Sequence, residues 1–410
     1  MEKSRNGKTI KDVLTSIKDK YIGKIEIQSG KLDYVSEENM TEYAWAKEAF
    51  DGVASDFDKA SSSGTSSIQI DNASAGKIES LRIYGNSVQD GTPSIDAPAE
   101  IQSIGDLVTE GEYKGKYKIP ITVSGKNLFD QNLFNTDVGV NAVYVTYEIP
   151  NGTYVMSTDF SGYHYANVFI FAGTVNSGIS TLDNGVTSDT PRKLVVSDGH
   201  FTVAYRTANA EGDHNPKNFN WQLEKGTTAT KYEPYTSTTT NIYLNEPLRK
   251  VGDAVDHIDF KNKKVVRNVG TMEHTTNTTA IKGKTATESG VYRNYIQTSP
   301  LMKGGINTDG LCTTLATNKK EWASLIAPSV RFGQVNAVIY IMTSAQMATN
   351  QDLYNYVTNN GKNKCIYYYQ LSNFTEEKIE IPDILTTKGT NCITVRTGTI
   401  PSKIEIIYNK

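Results

Sequence analysis

The chain has 410 residues, a formal net charge of -3, 38% hydrophobic and 21% charged residues. That length suits two or three domains of about 100–200 residues each, and the near-neutral balance argues against the basic stripe that nucleic-acid binding needs. No stretch approaches the roughly 18 consecutive apolar residues of a membrane-spanning helix, so no membrane insertion is expected.

Three widely spaced cysteines, Cys312, Cys365 and Cys392, argue against a disulfide framework or a zinc knuckle. Cys365 and Cys392 sit in apolar strand patterns and read as buried thiols. The basic clusters are short, Lys261, Lys263 and Lys264 in one place and Lys319 and Lys320 in another, and read as solvated turn ends. The 24 tyrosines, with abundant Thr, Ser, Asn and Gly, suit strands with polar faces joined by many turns. The start, Met-Glu-Lys-Ser-Arg, has no apolar run behind it, so no signal peptide is expected.

Residues 8–21 read as a helix, with Ile10, Val13, Leu14, Ile17 and Tyr21 at helical spacing. Lys24-Ile25-Glu26-Ile27 and Lys31-Leu32-Asp33-Tyr34 alternate around Ser29-Gly30 and predict a hairpin. A second helix is expected over 36–60, capped by Ser36. Tyr43, Ala46, Phe50, Val53, Phe57 and Ala60 recur three and four apart along it, a heptad stripe interrupted by Gly52. Two readings stand: an amphipathic helix packed on its own domain, or a self-association stem burying Tyr43, Phe50, Val53 and Phe57 between copies. Residues 61–67 are a linker by composition.

From 68 the pattern turns to β. Ile68 and Ile70 alternate, then Ile78, Leu81, Ile83 and Tyr84, with Gly85-Asn86 as punctuation. Residues 116–123 are a strand that Pro120 assigns to a sheet edge. After Asn127 aromatics increase and charges thin. Strands are expected at 143–149, 152–158, 166–172, 192–196, 201–206 and 219–223, with turn signals between them. Short strands at near-even spacing indicate a sandwich or jelly roll.

Past the threonine-rich 236–240, Asn241-Ile242-Tyr243-Leu244 reads as a continuation of what 116–123 began. A hairpin follows around Lys261-Asn262. One helix is expected at about 350–359, with Leu353, Tyr354 and Val357 on its face. The expected chain is therefore mainly β. A short α-helical N-terminal attachment or oligomerisation segment (1–60) and a linker (61–67) precede a discontinuous β domain (68–126 plus 237–410). A β-sandwich, jelly-roll domain (127–236) is inserted in it.

One stretch is distinctive. Trp221-Gln222-Leu223-Glu224 sets Trp221 and Leu223 on one strand face and Gln222 and Glu224 on the other. Lys-Gly-Thr-Thr-Ala-Thr-Lys follows, ending in Tyr232-Glu233-Pro234-Tyr235. This is similar to the end of the jelly-roll, carbohydrate-binding-module-like domain of many tail proteins from phages of Gram-positive bacteria. Tyr84-Gly85-Asn86-Ser87-Val88-Gln89 and Leu244-Asn245-Glu246-Pro247-Leu248-Arg249 resemble segments that accompany that domain. The resemblance spans roughly 68–410. It implies a place in the virion tail, other tail or baseplate proteins as partners, a homotrimer, and host cell-wall or capsular glycan as ligand. It transfers no ligand residues; Leu223, Gly226, Ala229, Tyr232 and Tyr235 would be fold determinants.

No catalytic constellation is legible. His-Glu-x-x-His, Gly-x-x-x-x-Gly-Lys and Gly-x-Ser-x-Gly are missing. The five histidines, His164, His200, His214, His257 and His274, are scattered, and no cofactor or metal is expected. Asp183, Asp189, Asp198, Glu211 and Asp213 fall on predicted loops, where turn formation is the ordinary role and where glycan hydrolysis would need a matched pair.

The aromatics are more informative. Tyr163-His164-Tyr165 follows Ser161-Gly162 at a loop tip, with Tyr144, Tyr147, Tyr154 and Tyr205 on neighbouring strands. Sugar rings stack their apolar faces on such side chains. Tyr163, His164, Tyr165, Tyr144 and Trp221 are the candidate glycan contacts, with core or sheet-face packing as the competing role, above all for Trp221. Three functions stay open: non-catalytic adhesion to host glycan, a structural baseplate or tail-tip part that binds no sugar, and a glycan depolymerase.

Overall fold

The computed structural model describes residues 25–28, 31–34, 64–78, 80–134, 143–159, 166–172, 191–197, 199–207, 216–282, 291–298, 302–303, 308–317, 327–332 and 338–407. Within them the protein is mainly β, with one α-helix, Asn350–Val357. Strands Ile25–Gln28 and Lys31–Tyr34 pair antiparallel, as their alternation predicts. The helices expected at 8–21 and 36–60, and with them Tyr43, Phe50, Val53 and Phe57, lie outside the described residues.

A scaffold sheet runs in the order Ser237–Leu244, Tyr117–Ser124, Gly389–Arg396, Thr65–Asn72, all antiparallel, with Asp106–Leu107 added to Tyr117–Ser124. The chain before 125 and the chain after 236 therefore share a sheet. The cause is a common dry face: Ile119, Ile121, Val123, Ile242, Leu244, Ile393 and Val395 alternate onto it. A second sheet runs Gly310–Cys312, Ile366–Lys378, Lys264–Glu273, His257–Asp259, Ser80–Tyr84, Ile404–Ile407. It turns Leu81, Ile83, Ile258, Val265 and Ile404 onto the same core. Branched aliphatic residues dominate because they pack well on a pleated surface.

Two expectations are corrected here. Pro120 is not on an edge strand, since its strand is flanked on both sides. It is tolerated because one flank changes partner at that point: pairing with Gly389–Arg396 ends at Ile121, and pairing with Asp106–Leu107 begins at Lys118. The linker also ends early. Thr65, Ser66 and Ser67 are buried and paired with Arg396, Val395 and Thr394. Composition misleads there because small hydroxylated side chains serve a tightly covered strand as well as a loop.

The far end of the second sheet carries its own core. A four-stranded sheet, Ala280–Lys282, Tyr292–Gln297, Val338–Thr343, Ser329–Phe332, packs with the helix over Met302, Cys312, Tyr367 and Tyr369. The helix opens at a capping box of Thr349 and Asp352 and buries Leu353 and Val357.

Residues 127–235 leave the scaffold just after Ser124 and return just before Ser237, its partner in the ladder. Two three-stranded antiparallel sheets form from them. One runs Val143–Glu148, His200–Thr207, Ala166–Ala172, the other Arg192–Val196, Gly152–Thr158, Trp221–Lys225. Phe129, Phe134, Tyr154, Met156, Phe201, Trp221 and Leu223 fill one core within this segment.

Asn127 fastens it. Its buried amide donates to Trp221 O at 2.7 Å and Glu233 O at 3.1 Å, and its carbonyl accepts from Phe129 N at 3.0 Å and Leu223 N at 3.1 Å. Gln222 and Glu224 are buried as well, because the chain after Gly226 folds back over them. Glu224 accepts from Thr230 N at 3.0 Å and Thr230 Oγ1 at 2.8 Å, and the amide of Gln222 donates to Glu224. The carbonyl of Gln222 accepts from Glu233 N at 2.7 Å. The polar face of the strand is thus a clasp for the departing chain.

Asn127→Ala removes all four hydrogen bonds and leaves buried backbone groups unpaired. We expect a loss of about 3 kcal/mol in chemical denaturation, whereas the exposed Thr238→Ala should change stability by less than about 0.5 kcal/mol. Equal stability of the two variants would refute the fastening by Asn127.

Candidate functional site

Trp221 is a core residue. Its ring centroid lies 6.1 Å from Phe129 and 5.5 Å from Phe134, and the side chain is fully buried. That corrects its assignment as a glycan contact, because no face of the indole meets solvent. Tyr147 and Tyr154 also turn inward; their hydroxyls donate to Asp130 O and Pro150 O, each at 2.7 Å. Burial pushes both phenols up. Tyr144 stands opposite Ala204 within its sheet. Tyr163, His164 and Tyr165 lie outside the described residues, as do Asp183, Asp189, Asp198, Glu211, Asp213 and His214.

The described surface holds a different site, where two of the distinctive motifs meet. Pairing of Ser80–Tyr84 with His257–Asp259 sets Tyr84 opposite His257. Gly85 N then donates to Asp256 O at 2.6 Å. A Cβ on Gly85 would lie 2.3 Å from Arg249 O, so only glycine lets the two motifs touch. Asn86 donates its amide to Pro401 O at 2.9 Å, and Lys250 N donates to Ser87 Oγ at 3.1 Å.

Asp256 lies fully buried beneath this junction. It accepts from the backbone N–H groups of Arg249, Asn268 and Val269 at 3.1, 2.8 and 3.0 Å, and pairs with Arg267 at 3.3 Å. Asn268 and Val269 stand at a register shift in Lys264–Glu273, and Asp256 supplies the acceptor that the interrupted ladder lacks. Arg249 in turn binds Glu246 at 2.6 Å and lies over the ring of Tyr368 at 5.4 Å.

Beside the junction opens a cleft of about 790 Å³, within the usual size of small-ligand sites. Tyr84, Asn86 and Lys403 form one wall, Lys250 and the turn Asp253–Val255 another, and Lys303 with Gln370–Phe374 a third. Phe374 is 60% exposed. Tyr84 donates to Glu405 at 2.7 Å; Glu405 also binds Lys403 at 3.0 Å, and that ammonium lies 5.7 Å from the Tyr84 ring centre. Burial and Glu405 push the Tyr84 phenol up to about 12, so it stays a donor at neutral pH. Burial and Arg82 depress His257, whose ring is therefore neutral at pH 7. Among the described residues, the ammonium groups of Lys250 and Lys303 make no ion pair. The lining thus combines aromatic faces with amides, hydroxyls and ammonium donors.

Sequence reasoning missed this cleft because its walls come from five separate stretches, each unremarkable alone. The usable signal was the pair of motifs around Gly85 and Arg249, which had to touch.

Although burial works the other way, hydrogen bonds from Tyr84 and Lys403 hold the Glu405 carboxyl below the ordinary range. A depressed carboxyl stabilises the fold above its unfolded value of about 4.3, and that stability is lost as pH falls through the folded value. Glu405→Gln should therefore lose less Tm than the parent between about pH 5 and pH 3; superimposable acid limbs would contradict the pairing. Compared with models of known protein families, with characterised proteins and with solved structures, the chain gives no match.

Proposed function

We propose that the chain is a tail fibre or baseplate protein of a phage or phage-tail-like particle, and that it binds host cell-surface glycan in the cleft without breaking a bond. The cleft carries this reading. It is sugar-sized, rich in donors for hydroxyl groups, and edged by an exposed aromatic ring on which a sugar can stack. Of the described lining residues only Asp253 bears a carboxylate, which favours adhesion over the two-carboxylate chemistry of glycoside hydrolysis. The likeness of the motifs to Gram-positive phage tail proteins connects the site to a virion. In this reading residues 1–60 attach or trimerise the chain, other tail or baseplate proteins receive it, and several copies raise weak single-site binding through effective concentration.

The full chain, probed on an array of Gram-positive wall and capsular glycans, tests this. Phe374→Ala and Lys303→Ala should each weaken binding about tenfold, or about 1.4 kcal/mol, while Tyr163→Ala and Tyr165→Ala leave it intact. The reverse pattern would move the site to the inserted segment. A blank array would favour a structural part that binds no sugar, and release of reducing sugar would favour a depolymerase.

A further inference from the structure

Cys312 ends the strand Gly310–Cys312, and Cys365 stands immediately before Ile366–Lys378. These strands are antiparallel neighbours, with Cys312 opposite Tyr367. The two cysteines therefore flank the neck through which residues 313–364 leave the second sheet and come back. That excursion carries Ser329–Phe332, Val338–Thr343 and the helix. At its neck Thr313 N donates to Ile366 O at 3.1 Å, and Thr313 Oγ1 donates to Lys364 O at 2.8 Å.

The two sulfurs are 3.7 Å apart and both side chains are fully buried. A disulfide needs about 2.05 Å, so the sulfurs must close by about 1.7 Å, the scale of a side-chain rotation with a small backbone adjustment. Cys392 sits apart, on the scaffold strand Gly389–Arg396. We propose that Cys312 and Cys365 are a modification site, a reversible intramolecular disulfide that closes the neck of the 313–364 excursion. The inference is independent of the adhesion reading.

The surroundings give the pair an order of reaction. Burial pushes the Cys312 thiol well up. Burial acts on Cys365 in the same sense, but hydrogen bonds from Cys312, Thr314 and Tyr367 outweigh it and hold that thiol lower. Tyr367 is itself positioned by His274 Nδ1 at 3.0 Å. These hydrogen bonds favour ionisation of Cys365, and the thiolate is the nucleophile.

With hydrogen peroxide as oxidant, the Cys365 thiolate attacks one peroxide oxygen and the O–O bond breaks. Hydroxide leaves and takes up the proton that the thiol released, giving water and a sulfenic acid. The Cys312 sulfur then attacks the Cys365 sulfur and displaces hydroxide, which takes the Cys312 proton as a second water. The sulfurs lose two electrons and the peroxide gains two. Thiol–disulfide exchange with dithiothreitol returns both thiols. The closed bond would clamp Ile366–Lys378, whose residues Gln370–Phe374 form one wall of the cleft.

The test uses the native full chain treated with hydrogen peroxide, then denatured, alkylated and mapped by mass spectrometry without reduction. The expected result is a linked Cys312–Cys365 peptide, a loss of two hydrogens from the intact mass, and an alkylated Cys392. Tm should rise by a few degrees and fall back on adding dithiothreitol, and Cys312→Ser should give neither the link nor the rise. Should that variant fail to fold, the peptide map of the unsubstituted chain with and without dithiothreitol decides alone. The proposal is overturned if all three cysteines are alkylated after peroxide. It is also overturned if either of the pair goes to sulfinic acid without a link, or if the link forms only in the denatured chain.

Discussion

The ladder between Tyr117–Ser124 and Ser237–Leu244 is the constraint on which the rest of the molecule depends. More than a hundred residues separate these strands, so closing the loop between them is an entropic cost that local contacts cannot offset. The isoleucine-rich core offsets it. Ile119, Ile121, Ile242 and Leu244 are fully buried, and each contributes about 1.5–3 kcal/mol of apolar burial. Asn127 then sits directly past the ladder and ties the first residues of the inserted segment to its last strand. The excursion 313–364 repeats part of the arrangement: it leaves and re-enters the second sheet between paired strands, with two thiols at its neck, and it shares a core with Tyr367 and Tyr369 of that sheet.

The cleft follows from a second polar knot. Asp256 is buried where a sheet strand breaks register, and it gathers three backbone N–H groups and a guanidinium. A buried carboxylate is costly unless it is satisfied in this way. Once it is, Gly85, Arg249 and the turn at Asp253 are fixed against one another, and the space beside them becomes a shaped cavity. Tyr84 ends the strand Ser80–Tyr84 and Lys403 directly precedes Ile404–Ile407, so the donors are pre-organised and little ordering is needed on binding.

Much of the fold was legible in the sequence, because alternation along a strand reports a dry face directly. Ile119, Ile121 and Val123 gave their strand, and Leu353 and Val357 gave the helix. The exceptions have physical causes. Pro120 suggested an edge, but proline needs only a position without a ladder hydrogen bond, and a change of partner provides one inside a sheet. Gln222 and Glu224 gave a polar face that water never reaches, since their own chain returns to cover it. Trp221 looked like a ligand platform because tryptophan serves cores and sugars alike. Beyond the two motifs around Gly85 and Arg249, the cleft left no local trace: Tyr84, Asp253, Lys303 and Phe374 are brought together only by sheet order, which no short window contains.

Hydrogen–deuterium exchange of the full chain, with and without a bound Gram-positive wall glycan, tests the account most directly. Slowed exchange confined to peptides covering 84–87, 250–257, 303, 370–374 and 401–403 is the predicted result. Slowed exchange confined to peptides within 127–235, with those five stretches unchanged, would contradict it.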